Sequence, residues 1–348
     1  MRAYTYLERG VFRMTQKPRP VLRAPRDAVV RVTLASICTS DVHIRNGAVP
    51  RAVPGITVGH EFVGVVEETG SAVTHVKKGD RVAVNVETYC GTCFFCRHGW
   101  VNNCSDPNGG WALGCRIDGG LAEYARIPFA DTNLVPIPDG VTDEQALFTG
   151  DLLSTGYWAA KLAHIRMGDT VLLIGAGPTG YCTALCALLH SPARLIVCEI
   201  DPVRRASFAR RFPNAEVLPP EDALPLLART PRGGADAVIE AAGSAEGFRL
   251  AWQGARPNAN VVLVAMYETP QILPLPDMYG KNLTFKTGGV DGCDCSAVMR
   301  LIAEGRLDAT PLITHTFPFS DIERAFSLSA QKKDGVMKVA VRMDEYIP

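Results

Sequence analysis

The sequence lacks an excess of charge of either sign. Its 348 residues hold 36 Lys+Arg and 36 Asp+Glu, for a net charge of zero. Without a basic stripe, nucleic acid and acidic membrane surfaces are poor candidate partners. There is also no basic cluster to hold a phosphorylated substrate. Long apolar runs are absent. The longest, around 171–189, is broken by Gly175, Gly177, Pro178 and Gly180, which excludes a transmembrane helix. The opening stretch MRAYTYLERGVFRM has no apolar segment of the kind a secretory signal needs. No internal repeat or low-complexity tract is present.

What is present suits a globular chain. Hydrophobic residues make up 47% of the sequence, enough for substantial cores, and the length suits two domains of about 150 residues each. The eleven cysteines are an odd number in a large chain with no leader, which points to a reducing cytoplasm rather than a disulfide framework.

The texture of the chain changes near residue 154. Before it, short valine-rich runs at 29–34, 63–67 and 81–84, punctuated by turns such as Lys78-Gly79-Asp80, predict strands of a partly open β-barrel. After it, strands are expected at 170–174, 195–199, 237–241, 261–265 and 283–287, with helices at 181–190 and 202–212. This alternation is that of an α/β doubly wound parallel sheet. From about 291 the pattern predicts a helix over 295–304 and another over 321–329 capped by Ser320. A last strand follows over 336–342, in a tail that returns to the first domain. The expected division is 1–153 with 291–348, and 154–290.

Cys90-x2-Cys93-x2-Cys96-x7-Cys104 is the strongest single pattern. Four thiolates this close can surround one tetrahedral zinc and leave no position for water, so the site would be structural. Two disulfides or an iron–sulfur cluster are the alternatives.

The loop Gly175-Ala-Gly177-Pro178-Thr179-Gly180 follows the apolar run at 171–174 and opens a helix, the context a phosphate-cradling dinucleotide loop requires. Gly175 permits the turn, Gly177 lets the backbone approach a pyrophosphate, and Gly180 lets the helix pack on the strand. Glu199 ends the next strand, where a carboxylate can bind both ribose hydroxyls of NAD and repel the 2′-phosphate of NADP. Arg204 and Arg205 lie close by and could turn toward a phosphate; their other role is as solvated charges early in a helix.

Cys38, His60 and Asp151 offer a thiolate, an imidazole and a carboxylate. No short motif joins them, and each residue type is common without a metal. A ligating histidine gives its other ring N–H to a carboxylate, and Asp41 is a suitable partner. Glu61 could compensate the charge of a metal or enter its coordination shell.

These motifs together resemble the zinc-containing alcohol dehydrogenases of the medium-chain dehydrogenase/reductase family. The resemblance spans essentially the whole chain. It rests on CTSDVH at 38–43, GHE at 59–61, the four-cysteine segment, Asp151-x3-Thr155-Gly156-Tyr157, and GAGPTG at 175–180. It implies a GroES-like catalytic domain built from both ends of the chain around a Rossmann domain, with two zinc ions per chain. Cys38, His60 and Asp151 match the catalytic-zinc ligands, and Glu61 the acid behind the metal. Ser40 and His43 match a proton relay, Thr155 a threonine near the nicotinamide, and Lys338 a basic residue contacting the pyrophosphate. Ser40 and Val86 stand where some relatives carry larger side chains, which favours secondary alcohols or diols.

The implied activity is hydride transfer between a primary or secondary alcohol and NAD, giving an aldehyde or ketone, in a homodimer or homotetramer paired through the strand at 283–287. NADP is the less favoured cofactor. Formaldehyde dehydrogenase or dismutase and polyol dehydrogenase are alternative activities. A non-catalytic nucleotide-binding protein is the alternative of another class.

Overall fold

The computed structural model describes residues 1–332 and 335–344. Its backbone divides into two compact units, Met1–Ser154 with Asp291–Pro348, and Thr155–Val290.

The second unit is a six-stranded sheet. Its strands run in the order Glu216–Leu218, Arg194–Cys198, Thr170–Ile174, Ala235–Glu240, Ala255–Leu263 and Thr284–Thr287. All five pairings are parallel. A parallel strand is covered on both faces and therefore reads as a continuous apolar run. The five residues of Thr170–Ile174 and the six of Ala235–Glu240 are all buried. Leu172, Ile196, Val238 and Val261 pack with Phe248 and Trp252 of the helix Ala245–Gly254. Each such side chain contributes about 1.5–3 kcal/mol by leaving water. The chain starts in the middle of this sheet, moves to one side and then returns to the other. The strand order therefore reverses between Thr170–Ile174 and Ala235–Glu240, the point at which doubly wound sheets bind ligands.

The first unit centres on an open sheet. Its order is Ile313–Pro318, Lys338–Arg342, Ala28–Ile37, Glu61–Thr69, Arg81–Val84 and Leu134–Pro136, with Tyr124–Ile127 also pairing with Ala28–Ile37. All pairings are antiparallel except the one joining Ile313–Pro318 to Lys338–Arg342. The C-terminal strands thus lie beside a strand from the first forty residues. An aromatic cluster strengthens that return: Phe326 of the helix Ile322–Gln331 lies 5.2 Å from Phe12 and 5.7 Å from Tyr4, ring centre to ring centre.

The sequence pattern misplaces one helix start. Phe319–Asp321 forms a 3-10 turn before Ile322–Gln331, and Asp321, not Ser320, occupies the cap position with no side-chain cap bond. The buried side chains of Phe319, Ile322 and Phe326 anchor the segment instead. Among the described residues, no helix is long and apolar enough to cross a membrane.

Candidate functional site

In the first unit the strand Ala28–Ile37 runs into Cys38, which caps the helix Thr39–Asn46. Asp41, at the third helical position, accepts the Cys38 backbone N–H at 2.9 Å. This reciprocal cap satisfies a helix-end donor and fixes the Cys38 backbone. The second oxygen of Asp41 lies 3.3 Å from Nδ1 of His60. That leaves His60 Nε2 on the other side of the ring, 3.3 Å from Asp151 Oδ2, and the same carboxylate oxygen is 3.9 Å from Cys38 Sγ. Asp151 sits in a π-helical turn, Thr149–Leu153, where the Leu153 N–H reaches back to Phe148 O and Ser154 Oγ donates to Thr149 O. Such wide turns recur at functional sites.

Ligand atoms of Cys38, His60, Glu61 and Asp151 all lie within 4.8 Å of one another. Tetrahedral zinc with bonds of about 2.0–2.3 Å separates its ligand atoms by about 3.3–3.8 Å, so the observed spacings fit. The electrostatics fit as well. Burial alone would lower the pKa of His60, yet the carboxylates of Asp41 and Asp151 hold it well above the imidazole range. The two carboxylates around the imidazole make the pocket attractive to a cation. Glu61 lies behind His60 with Lys338 Nζ 2.5 Å from Oε2. Lys338 is itself buried and donates to Ile37 O at 3.0 Å. The structure thus places Lys338 beside Glu61 in the first unit. Ser40 Oγ is 3.7 Å from Cys38 Sγ, and His43 follows one turn later on the same helix, half-buried.

Cys90, Cys93, Cys96 and Cys104 also gather their sulfurs within 4.8 Å. Cys93 and Cys96 Sγ are 3.4 Å apart, and Cys90 and Cys96 Sγ 3.9 Å. These spacings are far beyond the roughly 2.05 Å of an S–S bond and match neighbouring corners of a tetrahedron. Backbone N–H groups of Thr92 and Cys93 point at Cys90 Sγ, each at 3.4 Å, as donors that favour a thiolate. All eleven cysteines are free.

The glycine loop lies in the second unit at the carboxyl end of Thr170–Ile174. Gly175 adopts φ +97°, which L side chains avoid, and a Cβ on Gly180 would fall 1.9 Å from Gly175 O. Gly177 caps the helix Pro178–Leu188, with Pro178 and Thr179 in its first turn. Glu199 is buried; Oε2 accepts the Ala176 N–H at 2.9 Å and lies 3.3 Å from Arg204. Arg205 donates to the carbonyls of Glu199 and Ile200. Thr155 begins the same unit, half-buried in the helix Ser154–Leu162.

Three residues of the first unit that no motif marks gather beside His60, joined through Trp111. Trp111 meets the His60 imidazole edge-on at 5.6 Å, and the Arg51 guanidinium lies 5.1 Å from the Trp111 ring centre. Glu87 pairs with Trp111 across a short two-stranded ribbon. Burial pushes its carboxyl up to about 8; Arg51 and His60 draw it down, and Asp151 and Asp291 push it further up.

Comparison with known proteins shows the family. Residues 24–139 match the model of the alcohol dehydrogenase GroES-like domain. An alcohol dehydrogenase of Cupriavidus necator is 34% identical over 98% of both chains. An NADP-dependent isopropanol dehydrogenase of Thermoanaerobacter brockii is 29% identical, covering 98% of this chain and 99% of that one. The solved structure of zinc dependent alcohol dehydrogenase 2 from Streptococcus pneumonia superposes with a TM-score of 0.93 at 32% identity, covering both chains fully. The chain belongs to the zinc-containing alcohol dehydrogenases of the medium-chain dehydrogenase/reductase family. Members of this class are oxidoreductases acting on CH–OH groups.

Proposed function

We propose that this chain is an NAD-dependent zinc alcohol dehydrogenase that interconverts primary or secondary alcohols with aldehydes or ketones. The observation that carries the reading is the sulfur–nitrogen–oxygen donor set of Cys38, His60 and Asp151, with Asp41 holding the far side of the imidazole. Those three residues would hold a zinc ion, and the second would sit among Cys90, Cys93, Cys96 and Cys104. Bound zinc supplies Lewis acidity toward an alcohol oxygen, and a bound nicotinamide accepts the hydride. The residues of the chain do the rest. Ser40 Oγ takes the hydroxyl proton and hands it outward, and His43 releases it to water. Ser40 and His43 are three residues apart on one helix, hence neighbours on its surface. Glu61, with its charge met by Lys338, balances the cation from behind. Thr155 would lie near a bound nicotinamide.

The glycine loop with Pro178 and Thr179 would hold the pyrophosphate of a bound dinucleotide at the start of a helix. Glu199 favours NAD, because its carboxylate accepts ribose hydroxyls and repels a 2′-phosphate. Arg204 and Arg205 already serve Glu199 and nearby carbonyls, which supports the same choice.

A homodimer or homotetramer paired through Thr284–Thr287 fits the position of that strand at the edge of its sheet and the exposed Ile272, Leu275 and Tyr279 that precede it. Free cysteines fit a reducing cytoplasm.

The test is NADH formation by the purified protein, with its zinc assayed, against a panel of primary, secondary and polyhydric alcohols, with NADP alongside. The expected result is turnover with NAD that is lost on chelation and absent in Cys38→Ala and His60→Ala. Full activity in either variant refutes the ligand assignment.

A further inference from the structure

Resting on the zinc dehydrogenase reading, we infer that Glu87 and Trp111 form a second recognition point beside the Cys38–His60–Asp151 cluster. The substrate they fit is an alcohol bearing another hydroxyl on the carbon next to the carbinol. Glu87 and Trp111 are opposite one another in the ribon of Glu87–Thr88 with Gly110–Trp111, so their side chains share a face. Both are buried, and Glu87 Oε2 and Trp111 Nε1 have no hydrogen-bond partner among the described residues. A buried acceptor and a buried donor left open side by side call for an explanation, because native interiors rarely leave either unmade.

Position supplies one. Trp111 meets the ring of His60, whose Nε2 faces the cluster, and the charges of His60 and Asp151 act on Glu87, so a molecule held at the cluster has this pair within reach. The pair is rigid. The Glu87 N–H donates to Asn85 Oδ1 at 3.0 Å, and Asn85 Nδ2 donates to Gly292 O at 2.7 Å. Pre-organised groups of this kind make good specificity contacts.

The chemistry narrows the ligand. A hydroxyl gives its hydrogen to Glu87 Oε2 and accepts one from Trp111 Nε1, satisfying both atoms at once. A carboxylate brings no hydrogen for Glu87 Oε2 to accept. An ammonium would face the Arg51 guanidinium, 5.1 Å from the Trp111 ring, and the metal charge as well. A neutral second hydroxyl is the group that remains.

Three matched alcohols test this: butan-2-ol, butane-2,3-diol and 3-methoxybutan-2-ol, which keeps the second oxygen but loses its hydrogen. In the zinc-assayed protein with NAD, kcat/KM for the diol should exceed that of the other two by about tenfold or more, one hydrogen bond's worth of discrimination. Dissociation constants from ligand-observed NMR should fall in the same order. In Glu87→Leu the ratio of diol to butan-2-ol should drop by about tenfold. The wild-type comparison with the methyl ether does not depend on that variant folding. Equal efficiency with all three alcohols means that an ordered water fills the pair, and overturns the inference alone. So does an unchanged ratio in Glu87→Leu. Turnover of none of the three overturns the dehydrogenase reading with it.

Discussion

Asp41 joins two candidate zinc ligands through one carboxylate, accepting the Cys38 N–H at 2.9 Å and standing 3.3 Å from His60 Nδ1. A single side chain therefore sets both the backbone that presents the sulfur and the ring that presents the nitrogen. Asp41→Asn can keep the first contact but loses the charge behind the imidazole. Affinity for the catalytic zinc should fall by about 10- to 100-fold. Chelator competition measures this, and an unchanged affinity would refute the role.

The two cysteine-bearing sites should separate in a zinc assay. Cys93→Ala should lose one zinc and melt at lower temperature, because a structural metal contributes folding free energy. Cys38→Ala should lose the other zinc and its turnover while the protein stays folded. Equal melting temperatures for Cys93→Ala and wild type would argue against a structural metal.

Glu199 holds the loop and is the proposed ribose ligand. Replacing it with Ala removes the acceptor for Ala176 N–H and the partner of Arg204, so some stability should go with it. Glu199→Gln retains an acceptor oxygen and isolates the charge. In both variants the kcat/KM ratio of NAD to NADP should move toward NADP by about tenfold or more. The ribose role fails if that ratio is the same as in wild type.

Asp236 yields a pH-dependent prediction away from both sites. It accepts the Thr170 N–H at 2.9 Å and Arg256 Nε at 2.6 Å, and also pairs with Arg232. Burial raises its pKa, but Arg256, Thr170 and Arg232 together hold it below the usual carboxylate range. A depressed folded-state pKa stabilises above the unfolded value of about 3.9, and that stability is lost as pH falls through the folded value. Asp236→Asn should therefore cost about 1–3 kcal/mol at pH 7. The gap to wild type should close below about pH 4. Urea titrations at pH 7, 5 and 3.5 follow it; a gap independent of pH would refute the account.

Features spaced closely along the chain were legible from the sequence. The glycine loop, the four cysteines and the apolar strands around 171–174 and 195–198 each follow from local periodicity or short spacing. The Cys38–His60–Asp151 set was legible only through resemblance, since its members converge from a strand end, a strand start and a wide turn. Glu87, Trp111 and Arg51 left no trace, because a two-residue strand has no period to read. The helix Pro220–Leu227 carries Pro225 inside it, against the rule that proline ends helices; Ala223 and Leu227, buried in the sheet's core, hold it in place. Ser320 looked like a cap because its residue type fits, but the 3-10 turn there follows the buried Phe319.

The pairing of Lys338 with Glu61 bears on how the protein is made. Glu61 emerges from the ribosome long before Lys338, and until the strand Lys338–Arg342 docks against Ala28–Ile37 its buried charge has no counterpart. The charge balance behind the Cys38–His60–Asp151 cluster is therefore complete only once the last strand of the chain has docked beside one of the first.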